Sequence, residues 1–237
     1  MTETLGIRRN WPSVVLMATA LAWMVVDSEG LERILRAMFP AERIVLYERQ
    51  TLGQLLADHM LLVAVAASVA AFIGLALGLL LLTPAGARFR DLILDLANFG
   101  QTFPSLAVMA LVVPVLGYGW EPVIIALVAY SILPVMLNVV AGIEHVPDHI
   151  VDAARGIGMS RTQRLREVQL PLALPVILGG LKNMLIIAVS AATLGAIVGA
   201  GGLGVPIMAG VSSFNSALIL EGAVPSALIA LIIDRSL

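Results

Sequence analysis

Residues 60–82, MLLVAVAASVAAFIGLALGLLLL, run without one charged side chain. Roughly 18 apolar residues are enough for an α-helix to cross the hydrocarbon core of a bilayer. Several further windows of that kind follow along the 237 residues. The charged share is only 13%, about half that of a soluble domain, so the chain lacks the polar surface that water requires. In lipid the backbone must satisfy its own hydrogen bonds, which leaves helices or closed barrels. These runs have helical length. The predicted fold class is an all-α polytopic membrane protein.

Six spans are predicted, at about residues 12–26, 60–82, 92–116, 123–140, 172–198 and 217–233. The third is expected to break at Pro104 and Pro114, and the fourth is interrupted by Pro134. Pro225 lies inside the sixth. Such prolines are tolerated where neighbouring helices or water re-satisfy the freed carbonyls. The short first span also reads as a signal peptide, with Ala18-Thr19-Ala20 as a loose cleavage site. Its removal leaves the other five crossings unchanged. Two GxxxG patterns, Gly74/Gly78 and Gly195/Gly199, permit close helix approach, within one subunit or at a dimer seam.

Arginine placement orients the chain. With a cytoplasmic N-terminus, the inner segments hold Arg8, Arg9, Arg88, Arg90, Arg155, Arg161, Arg164, Arg166 and Arg235. The outer loops 117–122 and 199–216 hold neither Lys nor Arg. Trp11, Trp23, Tyr118 and Trp120 fall near span ends, as interfacial aromatics do. A net charge of −2 says nothing about nucleic acid, and no basic run suggests it as a partner. Without cysteine there is no disulfide, Cys-based zinc site or Cys nucleophile.

The stretch 151–171, VDAARGIGMSRTQRLREVQLP, is too charged to span a bilayer and too patterned for a plain linker. Asp148 can cap a short helix over 149–157. Asp152 then lies in its first turn, where a carboxylate suits the helix dipole. Ala153 and Ala154 keep the helix thin, so that its backbone can enter a groove on another protein. Gly156 and Gly158 offer a left-handed stop. Ser160-Arg-Thr-Gln163 is a capping-box pattern that starts a second helix over 161–169, closed by Leu170-Pro171. Arg161, Arg164 and Arg166 are expected on its water side. The expected result is two short helices along the membrane face. An ordinary amphipathic connector fits the same capping signals.

The spacing Asp152-Ala153-Ala154-x3-Gly158-x9-Val168-x-Leu170-Pro171 resembles the EAA loop of permease subunits of binding-protein-dependent ABC importers. That pattern reads Glu-Ala-Ala, three residues, Gly, nine residues, Ile-x-Leu-Pro. The departures are Asp152 for Glu and Val168 for Ile. Further stretches are similar to the osmoprotectant branch, which imports glycine betaine, choline, carnitine and related quaternary amines. They are Gln101-Thr-Phe-Pro-Ser-Leu-Ala107, Tyr130-Ser-Ile-Leu-Pro134, Ala153-Ala-Arg-Gly-Ile-Gly-Met159, Leu170-Pro-Leu-Ala-Leu-Pro175, Ala192-Thr-Leu and Gly199-Ala-Gly-Gly-Leu-Gly204. The resemblance covers about residues 56–233.

The resemblance implies a type I ABC importer (MetI-like) permease fold with a cytoplasmic coupling helix. It divides the chain into residues 1–55, a first span and outer loop, and 56–237, the permease domain. It implies a multi-pass protein of the bacterial cytoplasmic (inner) membrane. The implied partners are a second permease, identical or homologous, two ATP-binding cassette ATPases and an extracytoplasmic substrate-binding protein. The implied coupling residues are Asp152, Ala153, Ala154, Arg155, Gly156, Gly158, Leu170 and Pro171, with Asp152 able to pair with an ATPase arginine. No cofactor is expected on this chain, because Mg-ATP belongs to the partner ATPase. A P-loop is missing: Lys182, the only lysine, is followed by Asn183 instead of Ser or Thr. The chain is thus expected to be a transport subunit and not an enzyme.

Pro104, Ser105, Asn138, Ser190 and Thr193 stand at plausible pore depth as candidate path residues. Helix packing and back-bonding to the helix account for each of them more simply. Gly199, Gly201, Gly202 and Gly204 are expected to form a tight outer turn, part of an outer gate. Lys182 is expected to snorkel toward the inner surface, His59 to be interfacial, and Glu221 to lie near the outer end of the sixth span. His145 and His149 lack a third ligand, so no metal site is expected. The rival function is a secondary transporter or channel for a small polar solute. Ion-coupled carriers usually carry an ionisable group at mid-membrane, and residues 60–82 and 123–140 have none.

Overall fold

The computed structural model describes residues 11–236. Arg8, Arg9 and Leu237 lie outside the described residues. The fold is helical along the described chain, and its elements follow from caps and breakers as much as from hydropathy. Helix α1 (Trp11–Val26) and α2 (Ser28–Met38) meet at 96°. Asp27 sets this corner: its carboxylate accepts from Gly30 N at 2.9 Å and from Trp23 Nε1 at 3.1 Å. Helix α3 (Leu52–Leu81) starts eight residues before the uncharged run (60 minus 52). The reason is a capping box, in which Gln54 N donates to Thr51 Oγ1 at 3.3 Å and Thr51 N to Gln54 Oε1 at 3.0 Å.

After the short turn α4 (Pro84–Ala87), helices α5 (Arg90–Thr102) and α6 (Ser105–Leu116) bend by 92° at Phe103-Pro104. The expected third span is therefore a sharply broken pair. Pro114, by contrast, lies inside α6 without breaking it. Helix α7 (Trp120–Glu144) runs unbroken through Pro134. The polar stretch folds as α8 (Asp148–Gly156) and α9 (Arg161–Gln163). A π-helical turn, Arg164–Gln169, joins α9 to α10 (Leu170–Ala192), and a 3₁₀ turn follows over Thr193–Val198. Helix α11 (Gly204–Ser213) occupies most of the expected outer loop, and α12 (Ser216–Ser236) completes the chain. Four of these helices are long and apolar enough to cross a membrane, and six crossings result if each bent pair counts as one.

Helices α3, α7 and α10 form the centre. Without water to drive association, membrane helices associate by close van der Waals contact between small residues. Gly74 and Gly78 of α3 seat on α7, where a Cβ would stand 2.8 Å from Val135 Cβ and 2.6 Å from Val139 Cβ. This GxxxG pattern therefore packs within one chain. The second pattern differs, because Gly199 is a left-handed residue (φ 81°) ending the 3₁₀ turn. Gly142 lies against Ala173, and Gly180 against Asn138 and Pro134, which closes α7 onto α10. A separate cluster joins Met24, Leu31, Leu35 and Val45 to Leu55, Ala217 and Ile229, so residues 24–45 fold against α3 and α12.

Candidate coupling site and groove

Helix α8 begins one residue earlier than expected. Pro147 takes the cap position without a side-chain bond, and Asp148 is the first helical residue instead of the cap. Its carboxylate still suits the helix dipole. The stop works through Gly158, at φ +86°. Gly156 stays helical. Around the stop, Ile157 N donates to Ala153 O at 3.1 Å and Met159 N to Ala154 O at 3.1 Å, so the last carbonyls are satisfied.

The outward face of α8 carries Asp152, Ala153, Arg155 and Gly156. Ile157, just past its end, is 80% exposed. Ala154 is turned inward at 6% exposure, so Ala153 is the thin outward residue of the pair. Arg155 Nη1 meets Asp152 Oδ1 at 3.1 Å, with both side chains about two-thirds exposed (66% and 65%). A pair that wet contributes little and exchanges easily with another partner.

Two contacts that the sequence did not suggest frame this helix. Arg90 grips Glu144 with two bonds of 2.6 and 3.0 Å, fixing the start of α5 to the end of α7. Arg161 Nη2 donates to Leu82 O at 2.8 Å, satisfying a carbonyl at the end of α3. Between them lies a cavity of about 350 Å³ lined by Leu82, Glu144, Asp148, Val151, Arg155 and Arg161 among others. The capping box at Ser160 and Gln163 forms as expected. The following helix does not close at Leu170-Pro171, however. It passes through the π turn into α10, so α9 and α10 are one rod. Pro171 therefore lies inside the rod, where the π turn hands over to α10, and its missing N–H removes one helical hydrogen bond there. Arg161 and Arg166 are exposed, whereas Arg164 folds back to donate to Met159 O at 2.7 Å.

The path candidates separate. Asn138 lines a groove of about 390 Å³ with Gln101, Pro134, Leu137 and Asn183. Its Nδ2 donates to Pro134 O at 2.8 Å. Pro134 has no N–H for Tyr130 O, four residues back. Gln101 of α5 supplies the missing donor, with Nε2 2.8 Å from that oxygen. A polar side chain ten residues into the expected third span (92–116) was the available signal for this role. Ser190 Oγ donates to Ile186 O at 3.0 Å and Thr193 Oγ1 to Ser190 O at 2.7 Å, the back-bonding that accounts for them structurally. Pro104 caps α6 and Ser105 opens it, at the bend.

At the other end of α10, Gly199, Gly201 and Gly202 hold φ values of 81°, 80° and 76°, a left-handed turn that only glycine adopts freely. Gly204 starts α11 pressed against the Thr193 backbone. A Cβ on Gly202 would stand 3.2 Å from His59. His59 is fully buried within the chain near the start of α3, and neither ring nitrogen meets hydrogen-bond geometry, although the Val189 backbone lies close by. Glu221 is near the start of α12 but buried at 2% exposure, where Oε2 accepts from Tyr47 N at 2.8 Å. Lys182 does not snorkel freely. Its Nζ lies 3.1 Å from both Asp234 Oδ1 and Asp234 O, tying α10 to α12. No group of three metal-ligating side chains occurs among the described residues.

Three comparisons place this architecture. Residues 70–236 match the family model described as "Binding-protein-dependent transport system inner membrane component". The carnitine transport permease protein OpuCD of Listeria monocytogenes is 37% identical over 177 residues, 74% of this chain and 78% of that one. The osmoprotectant import permease protein OsmY of Salmonella typhimurium is 39% identical over 179 residues, 76% of each. The glycine betaine/carnitine/choline transport system permease protein OpuCB of Bacillus subtilis is 36% identical over 168 residues, 68% of this chain and 77% of that one. In fold, the chain matches one from the inward-facing MetNI methionine ABC transporter with a TM-score of 0.66, at 22% identity over 75% of this chain and 88% of that one. A chain of an amino acid ABC transporter matches at 0.66, with 19% identity over 78% and 89%. The protein is a multi-pass membrane permease and belongs to the family of binding-protein-dependent transport system inner membrane components.

Proposed function

We propose that this chain is the permease subunit of an ATP-driven importer for a small quaternary amine such as glycine betaine, choline or carnitine. The exposed helix α8, fixed between α7 and the α9–α10 rod, carries this reading. A short rigid helix joined firmly to two spans transmits a rigid-body push. Asp152, Ala153, Arg155, Gly156 and Ile157 form the face offered to a separate ATPase. Ala154 seats the helix from within, Gly158 ends it, and Leu170 with Pro171 carries the push into α10. Mg-ATP acts on the ATPase and no cofactor is held here. The assembly comprises a pair of permeases, a pair of ATPases and an extracytoplasmic binding protein. The N-terminus faces the cytoplasm, with α8 on the same side. Residues 1–55 form an accessory first span and outer loop, and 56–237 the transport domain. Asn138, Pro104, Ser105, Ser190 and Thr193 belong to the solute path, and Gly199, Gly201, Gly202 and Gly204 to the outer gate.

The solutes that the relatives are named for support the choice of quaternary amines. A secondary carrier would need an ionisable group at mid-span. Among the described residues the buried ionisable side chains are His59 and Glu221, each near the start of its helix. The test is reconstitution in vesicles with the ATPase and the binding protein, using labelled betaine, choline and carnitine. Accumulation is expected only with ATP and is expected to persist with an uncoupler. Uphill uptake by the permease alone would overturn the proposal.

A further inference from the structure

The groove between α5, α7 and α10 is lined by Gln101, Leu133, Pro134, Leu137, Asn138, Asn183, Ile186 and Ile187, none of them ionisable. Its polar groups are amides, and two of them are anchored. Gln101 turns its nitrogen onto Tyr130 O and Asn138 turns its nitrogen onto Pro134 O, both at 2.8 Å. Their oxygens are the unengaged ends among the described residues. Asn183 is exposed and its amide is unbonded among the described residues, so it is free to turn. The one amine nearby, on Lys182, points away onto α12 and is neutralised by Asp234.

We infer that this groove conducts the cationic head of the solute, with the amide oxygens of Gln101, Asn138 and Asn183 standing in for water. The inference rests on the quaternary-amine reading above. A quaternary ammonium has no N–H to donate and carries a diffuse positive charge. Carbonyl dipoles attract such a charge, while the absence of a carboxylate keeps the attraction weak enough for release, the condition for conduction. The aliphatic wall from Leu133, Leu137, Ile186 and Ile187 suits its methyl groups.

Asn183 offers the cleanest probe, because its amide has no structural bond to lose. The assembled importer is reconstituted with Asn183→Lys or Asn183→Leu, and ATP-driven uptake of choline (a net cation) is compared with that of glycine betaine (a zwitterion). A fixed charge beside the path costs a passing like charge on the order of tenfold in rate. Asn183→Lys is expected to lower choline uptake roughly tenfold and betaine uptake less, because betaine's carboxylate offsets the repulsion. Asn183→Leu is expected to lower both by one smaller factor, with ATPase activity retained in every variant. Unchanged choline uptake in Asn183→Lys, or an equal loss for both solutes, would overturn the groove assignment. If the unmodified importer carries no quaternary amine, the solute class itself falls, and the groove reading with it.

Discussion

Gly158 holds φ at +86°, and nothing lies within 4 Å of where a Cβ would stand. Substitution there is opposed by torsion and not by a clash, at about 1–2 kcal/mol for an L-residue. Gly158→Asp is expected to abolish uptake while the protein remains in the membrane fraction. Gly158→Asn is expected to be milder, since Asn tolerates the left-handed region as Asp does but adds no charge at the helix end. Uptake assays beside membrane immunoblots check both. This residue was legible in the sequence because a fixed turn demands glycine locally. Gln101, His59 and Glu221 were not, because their roles depend on a distant chain segment: the Tyr130 carbonyl, the Gly202 turn and the Tyr47 amide. No local periodicity encodes such a meeting. A rule was nevertheless available for Gln101, since a proline in a buried helix always leaves a carbonyl in want of a donor.

Between elements, the contact of α3 with α7 depends on two glycines. A Cβ on Gly78 would stand 2.6 Å from Val139 Cβ, closer than real side chains approach. Gly78→Ala is expected to destabilise the bundle by about 1–3 kcal/mol through overpacking. Val139→Ala keeps that Cβ but removes Cγ1, which would stand 2.8 Å away, and so should recover part of the loss, giving a coupling term in a double-mutant cycle read by thermal unfolding in detergent. Independent effects of the two substitutions would contradict this packing. Hydropathy located these helices because lipid permits few alternatives to a helix. It missed their ends where a cap extends them, as Thr51 does for α3. Pro104 marked the place of the bend, but its 92° angle arises from packing that no linear pattern records. The π turn at Arg164–Gln169 was equally unreadable, since its residues are ordinary helix formers.

For the molecule as a whole, polar clasps close both ends of the apolar bundle. At the α8 end, Arg90–Glu144 joins α5 to α7 and Arg161–Leu82 joins α9 to the end of α3. At the other, Glu221 holds Tyr47 N and Asn215 Nδ2 holds Ile44 O, so residues 39–51 lie fixed against α12. A hydrogen bond of this kind contributes about 0.5–1.5 kcal/mol. Glu221→Ala is therefore expected to loosen that segment, and trypsin should cut faster after the exposed Arg43 and Arg49. Unchanged cleavage rates at those sites would refute the clasp. The central span α7 has a dependence of the same kind. Its continuity at Pro134 relies on an amide from α5, a helix none of whose side chains is buried. Stiffness supplied from next door lasts only while the neighbours keep step. Any displacement of α5 by one turn would uncouple the Tyr130 carbonyl and turn a continuous helix into a hinge, beside the groove that Pro134 and Asn138 line.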